Sequence, residues 1–488
     1  MAETQITREM ALGWVRSNLD SYPHAPQVSV HDPFTGESVG TIADCGSAEV
    51  NSAVAAALRA FKTGLPRAQR ITILEEAARG LDTRRDEFAA VIALETGKSL
   101  KDCRTEVARA TETLRYTAAE ARTQSSRVIP ADAAEAGEGA LAMEMRVPRG
   151  VVGAITPFNF PLNTSVHKVA PALAVGCSVV HKPAHQTPLT ALALQDLFRE
   201  AGLGAGWLEV CTDGGGNAGR ALVEHSDVAV ISFTGSNVVG WEIAQKAPKK
   251  KVLLELGSNA PVIVTETADL AHAAKRIATG GFGSAGQSCI SVQRVIAHQS
   301  IASKLEDHLA AVAGEIQAGD PFDPKVDIGP LISLEASSRV REWVQEAVEM
   351  GGAIVGNTPN NDSVAIAPII ISGAPEKSRI RQKEIFGPVI TVLPYNTFDE
   401  ALAIANDTIF GLQAGVFTSD VSEMLSAFHQ LEFGGVLIND IPTVRLDHQP
   451  YGGVAESGNT REGPHYAMEE LTHLRYLSIR AGNPGGDS

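Results

Sequence analysis

Between residues 150 and 265 the chain repeats one unit: a short apolar run, a turn of small residues, then a helical stretch. VVGAIT leads into PFNFP and the helical NTSVHKVAPALAVG. CSVVHKP leads into a helix over 187–201, WLEVCT into DGGGNAGRALVEH, and VAVISF into TGSNVVGWEIAQKA. Strands without a polar face must be buried on both sides, so the alternation predicts a parallel sheet covered by helices on both faces. VLLELGSNAPVIV then reads as strand, turn, strand. The same alternation resumes over 271–395 and again to Asn439, which predicts a second α/β domain. Upstream, 48–61, 67–95 and 101–122 carry helical spacing, and Leu141, Met143, Met145 and Val147 alternate with Ala142, Glu144 and Arg146, predicting a strand over 137–147. LRYLSI reads as a closing strand.

A chain of 488 residues holds roughly two to four such domains. Its net charge of −16 argues against nucleic acid or an anionic membrane as the main partner. The longest apolar runs, such as APALAVGCSVV, fall short of the ~18 residues that a membrane span needs. MAETQITREMALGW lacks the basic-then-apolar order of a signal peptide. The cysteines Cys45, Cys103, Cys177, Cys211 and Cys289 form no CxxC pair, so no metal site is expected and the location predicted is reducing and cytoplasmic.

Ligands of open α/β sheets bind beyond the carboxyl ends of the strands, so chemistry is sought there. Thr234-Gly235-Ser236 follows a buried strand and opens a helix. It fits an ordinary βα turn, or a site where helix amides meet a pyrophosphate. Gly214 to Gly219, one unit earlier, is a flexible loop or part of the same nucleotide site. Lys182 ends another strand and is placed to meet ribose or phosphate, unless it is a solvated surface lysine. Glu255 follows three apolar residues. Partial desolvation would raise its pKa and make it a general base, whereas an exposed strand end would pair it with the preceding lysines. Buried cysteines are usually inert, but Cys289 stands in GFGSAGQSCIS, where Gly281, Gly283 and Gly286 are expected to leave room for a ligand to reach the thiol.

Together, PFNFP at 157–161, HKP at 181–183, FTGS at 233–236, LELG at 254–257, GQSC at 286–289, EIFGP at 384–388 and PYGGVAESG at 450–458 resemble the NAD(P)-dependent aldehyde dehydrogenase superfamily in order and spacing. GQSCISVQR and NTREGPHYAMEE look most like the branch of lactaldehyde, phosphonoacetaldehyde and non-phosphorylating glyceraldehyde-3-phosphate dehydrogenases. The resemblance implies Cys289 as nucleophile, Asn159 with the Cys289 N–H as oxyanion donors, and Glu255 as the base that activates water. It places Lys168 near the catalytic centre. It implies that Glu384 and Phe386 hold the nicotinamide ribose and ring, and that Lys182, Gly235 and Ser236 hold ribose and pyrophosphate. Thr156, Pro157, Phe158, Ala184, His185, Gly215, Gly219, Phe233, Thr234, Leu256 and Gly257 complete the expected cofactor cleft.

The family often has glutamate where His185 stands; losing that carboxylate removes repulsion toward a 2′-phosphate, so NAD or NADP is expected, with NADP accepted. Arg109 and Arg445 are candidates for the tail of an anionic or hydroxylated aldehyde, since a guanidinium fork suits phosphate, sulfonate or carboxylate; the bland alternative is two surface arginines. Glu255 argues against a CoA-acylating semialdehyde dehydrogenase. Cys289, Glu255 and Asn159 together argue against a non-catalytic cofactor-binding homologue. No motif sets a histidine beside Cys289 for a thiol protease. The implied architecture is a Rossmann-type nucleotide-binding domain (1–122 and 146–257), an α/β catalytic domain (258–457) and a small β oligomerisation element (123–145 and 458–488), in a homodimer or homotetramer.

Overall fold

The computed structural model describes residues 6–357 and 364–480. The repeated units of 150–265 form a five-stranded parallel sheet, ordered Leu208–Val210, Ser178–Lys182, Val151–Ile155, Val228–Thr234, Lys251–Glu255. In chain order this is 3-2-1-4-5, and the direction of winding reverses between Val151–Ile155 and Val228–Thr234. A crevice opens at the carboxyl ends there, which is where such sheets bind ligands. PFNFP and Thr234-Gly235-Ser236 are the two segments leaving those ends.

The second half builds a seven-stranded sheet, ordered Ala353–Val355, Ile369–Ser372, Val389–Tyr395, Val292–His298, Ala260–Val264, Gln413–Phe417, Gly435–Ile438. It is parallel except for its first pair. A three-stranded antiparallel sheet joins Thr472–Arg480, Ala140–Pro148 and Arg127–Ile129, with Thr472 opposite Pro148 and Arg480 opposite Ala140. Its side chains are largely exposed, including Val128, Leu141, Leu474, Tyr476 and Ile479. Among the described residues no helix is long and apolar enough to cross a membrane.

Three local expectations change. The stretch 67–95 is two helices, Arg67–Thr83 and Arg85–Thr96, broken at Arg84, whose ψ is 22°. Every residue from Phe88 to Thr96 is buried, so the second helix has no solvent face and must leave the line of the amphipathic first one. The strand expected from residue 137 begins at Ala140, because Glu135–Gly137 is a 3-10 turn. Of the segment 458–488, only Thr472–Arg480 joins the antiparallel sheet; the helix Pro464–Glu470 packs on Leu100–Thr123 and Pro161–Val175, and 481–488 lies outside the described residues.

Two buried glutamates cap the helices that follow Val151–Ile155 and Ser178–Lys182. The helices Pro161–Val175 and Pro188–Glu200 both begin with proline and lack a side-chain N-cap of their own. Glu106 accepts from the amides of Leu162 (2.9 Å) and Asn163 (3.1 Å), and Glu95 from those of Leu189 (2.7 Å) and Thr190 (3.0 Å). A carboxylate at a helix N-terminus satisfies otherwise unpaired N–H groups and meets the positive end of the helix dipole. Glu106 is itself paired with buried Lys98 at 2.9 Å, which sits 3.7 Å over the Phe160 ring. PFNFP is thereby fixed from outside its own segment.

Candidate active site

Cys289 is delivered by a strained turn. The helix Leu270–Phe282 ends, and Ser284, Ala285 and Gly286 then take φ of 51°, 54° and 70°. Left-handed backbone at non-glycine residues costs about 1–3 kcal/mol each and persists only where surroundings enforce it. Here Asp102 accepts from the Ser284 amide (2.9 Å) and hydroxyl (3.3 Å), while Gln287 accepts from the Ile332 amide at 2.9 Å. Gly281 and Gly286 serve packing, which corrects their expected role as ligand space. A Cβ on Gly286 would lie 2.0 Å from the Gly387 carbonyl oxygen, and one on Gly281 would lie 2.5 Å from Ile390. Gly283 alone faces open space.

Two cavities meet at Cys289. The larger, about 260 Å³, is lined by Pro157, Phe158, Thr234 to Ser236, Leu256, Gly257, Glu384 and Phe386, and also reaches Asn159 and Arg339. The smaller holds Asn159, Glu255 and Cys289 with Arg109, Arg445 and Tyr451. Asn159 lines both. Cys289 is half-buried, whereas Cys45, Cys103, Cys177 and Cys211 are buried. Burial pushes its thiol up to about 12; a hydrogen bond with Tyr451 and the charge of Arg445 work the other way.

Glu255 is buried, and neither carboxylate oxygen has a hydrogen-bond partner. Its backbone is fixed by a bridge to Gly458 and by its carbonyl, which accepts from the Gly235 amide at 3.1 Å. Gly452 has no side chain to obstruct it: a Cβ there would lie 2.8 Å from Glu255 Oε1. Burial, then repulsion from Glu462, raises its pKa well above the ordinary value, against the opposing charges of Lys168, Arg445 and Arg461. The pairing with preceding lysines left open by the sequence does not occur: Lys251 pairs with Glu470 and Lys250 bonds the carbonyls of Val223 and His225.

Lys168 does not line either cavity. It bonds Glu462 (3.0 Å) and Ser232 (3.3 Å), and reaches Glu255 only through its charge. Thr156 is likewise turned inward, with its hydroxyl 2.9 Å from His181 Nε2. Further along the crevice a pocket of about 360 Å³ is lined by Lys182, Gly215, Gly219, Arg220, Phe233 and Lys246, among others. Lys182 is held by Asp213 at 3.0 Å. Ala184 and His185 lie on the turn after that strand, outside the pocket's walls, with His185 exposed.

The crevice fits a dinucleotide. Its wall is apolar around Phe158 and Phe386, whose rings meet edge to face at 5.9 Å, and the buried Thr234 hydroxyl has no partner. Burial lifts Glu384 to about 7, while the Ser258 amide donates to it at 3.1 Å.

Arg109 and Arg445 do come together, each steadied by a carboxylate. Arg109 donates to Asp447 at 2.8 and 3.2 Å, and Asp447 also meets His167 (3.1 Å) and Asn163 (3.2 Å). Burial disfavours the Asp447 anion, but His167 and Arg109 outweigh it and hold the carboxyl well below the usual range. Arg445 donates to Glu462 at 3.0 Å and leaves its buried Nε unpartnered. Tyr451, Asp447 and Glu462 escaped the sequence reading. Tyr451 stands inside the quoted motif PYGGVAESG and could have been marked there as its one aromatic.

The family model for the aldehyde dehydrogenase family matches residues 22–477. A 3-sulfolactaldehyde dehydrogenase of Priestia aryabhattai is 42% identical over 456 residues, 93% of this chain and 95% of that protein. Aldehyde dehydrogenase 21 of Physcomitrella patens, solved with the reaction product succinate, superposes with a TM-score of 0.90 at 35% identity, covering 94% and 96% of the two chains. A glyceraldehyde-3-phosphate dehydrogenase of Methanocaldococcus jannaschii, solved with NADP, gives 0.89 at 36% identity, covering 93% and 99%. The chain belongs to the aldehyde dehydrogenase family.

Proposed function

We propose that the chain oxidises a small anionic or hydroxylated aldehyde to the carboxylic acid. The observation that carries this is one cavity holding a thiol, an unpartnered buried carboxylate and two arginines. Cys289 attacks the carbonyl carbon as thiolate. The Asn159 amide and the Cys289 N–H stabilise the oxyanion, and such a donor is worth about 10²–10³ in rate. Bound in the crevice, NAD(P) supplies the hydride acceptor. The acyl group then remains on Cys289 as a thioester. Glu255 takes a proton from water as its oxygen attacks that carbon, and collapse expels the Cys289 thiolate with the carboxylic acid as product. Glu384 and Phe386 would hold the nicotinamide end, and Gly235, Ser236 and Lys182 the ribose and phosphates.

The name of the Priestia relative supports a sulfonated hydroxyaldehyde as the substrate class, since a guanidinium fork binds a sulfonate well. The cofactor reading leans to NADP: in the pocket beyond the crevice Lys182 pairs with Asp213 and Lys246 with Glu242, so Arg220 gives the lining its excess positive charge, and His185 brings no carboxylate. Exposed apolar side chains on the three-stranded sheet support a homodimer or homotetramer, and the composition supports a cytoplasmic enzyme.

Reduced-cofactor absorbance with a panel of anionic and neutral aldehydes, each cofactor, and with or without CoA, tests the reading. The expected result is CoA-independent oxidation, fastest with the anionic aldehydes and NADP. Strong preference for NAD would remove the 2′-phosphate assignment, and a requirement for CoA would replace hydrolysis by acyl transfer. Within that panel, Arg109→Gln should raise KM for an anionic aldehyde roughly 10- to 100-fold, the worth of a charge-assisted contact. KM for a neutral aldehyde should change little; equal effects on both would remove Arg109 from tail recognition.

A further inference from the structure

Burial works against ionising Cys289, so the site needs a group that favours the thiolate without displacing the aldehyde. Tyr451 Oη lies 3.1 Å from Cys289 Sγ. The tyrosine is buried with Ile290 and Leu412 around the thiol. Its backbone is pinned on both sides, as its amide donates to Gln449 O at 2.8 Å and to Glu462 O at 3.2 Å, and its carbonyl accepts from the Glu462 amide at 2.6 Å. The Arg445 guanidinium sits 3.8 Å above its ring, with Glu462 holding the arginine in place. A cation over a phenol ring draws electron density from it and makes the O–H a stronger donor.

The direction of the bond follows from burial, which holds the Tyr451 hydroxyl protonated, with its ionisation pushed well above the ordinary value. Once the thiol has lost its proton, only the phenol can donate. The other charged groups facing Cys289 are Glu384 and Glu255, which oppose the thiolate, and Arg445, which favours it. Tyr451 is the one neutral donor among these neighbours.

We propose that the Tyr451 hydroxyl donates to the Cys289 sulfur and stabilises its thiolate, making Tyr451 a further catalytic residue. This rests on the reading of Cys289 as nucleophile, so the experiment reads the thiol and the reaction separately. Alkylation by iodoacetamide reports Cys289, since the other four cysteines are buried. At a fixed pH below the thiol's midpoint, Tyr451→Phe keeps the ring under Arg445 and should slow alkylation about threefold: an upward move of roughly one unit cuts the thiolate fraction tenfold, and the more basic thiolate regains part of that in nucleophilicity. Tyr451→3-fluorotyrosine keeps the shape, makes the hydroxyl more acidic, and should speed alkylation. A merely altered access to the thiol would not produce opposite signs. Unchanged alkylation in the phenylalanine variant, or no acceleration in the fluorinated one, overturns the proposal. Should the phenylalanine variant fail to fold, the fluorinated one decides alone. Cys289→Ser that still oxidises aldehyde would instead overturn the nucleophile, whatever the alkylation rates show.

Discussion

Cys289→Ser is expected to lower kcat for aldehyde oxidation by at least about 10⁴-fold while the protein still binds NADP, because Cys289 is the one thiol in the cavity lining and the hydroxyls around it are far weaker nucleophiles. A serine hydroxyl is far less acidic than a thiol, and this site already disfavours ionisation: burial, the largest influence, and its charged neighbours together take the Cys289 thiol up to about 12. Glu255 and Glu384 add negative charge nearby, leaving Arg445 and the Tyr451 hydroxyl to oppose them. An alkoxide there would be rarer still. The cofactor crevice depends on Phe158, Phe386, Glu384 and the Thr234 turn, none of which the substitution touches, so NADPH fluorescence on binding should persist. Activity within tenfold of the parent would exclude covalent catalysis at this residue. Lost cofactor binding would mean that the strained turn at Ser284, Ala285 and Gly286 had rearranged.

How much of this could be read from the residues follows from how local each signal is. The strand–turn–helix units are self-contained: each apolar strand must be covered, and each turn needs small residues. The parallel sheet and the position of PFNFP, Lys182 and the Thr234 turn at its strand ends were therefore legible. Cys289, Asn159 and Glu255, which the fold brings into one cavity, stood out because each sits in a short motif. The caps supplied by Glu106 and Glu95 were not, since each acts on a helix more than 50 residues away. The same holds for Asp447 and Glu462, whose partners Arg109 and Lys168 are 338 and 294 residues distant in sequence. Gly281 and Gly286 of GFGSAGQSC were assigned the wrong cause because their presence states only that a Cβ is excluded. Whether ligand or backbone excludes it depends on Gly387 and Ile390, brought in by the second sheet. The break at Arg84 was hidden for a related reason: helical spacing does not say when burial on all faces forces the axis to turn.

Glu255→Gln should separate the two halves of the reaction and reverse the usual sign of a core substitution. Acylation needs Cys289 and the oxyanion donors, so mixing enzyme, NADP and aldehyde should give a burst of about one reduced cofactor per active site. Turnover should then fall about 10²–10⁴-fold, the range for loss of a general base. Mass spectrometry of the stalled enzyme should find the acyl group on Cys289; steady turnover without a burst would place the base elsewhere. On the proposed mechanism the parent's Glu255 acts only when ionised, so deacylation should rise with pH through a pKa above the ordinary carboxylate range, raised by burial and by Glu462. The same shift appears in stability. The folded state holds the Glu255 proton more tightly than the unfolded chain, so the stability it contributes is fully present below the ordinary carboxylate pKa. It is lost as pH rises toward the raised value, by up to about 1.4 kcal/mol per pH unit. Glutamine does not titrate, and it can offer hydrogen bonds where two carboxylate oxygens now have none. The variant's Tm should therefore gain on the parent's as pH rises from about 5 to about 8, with a constant difference across that range as the result that would show Glu255 to be ionised throughout. A catalytic carboxylate kept protonated by its surroundings destabilises the fold at the pH where it works, and removing it should give a more stable protein that cannot release its product.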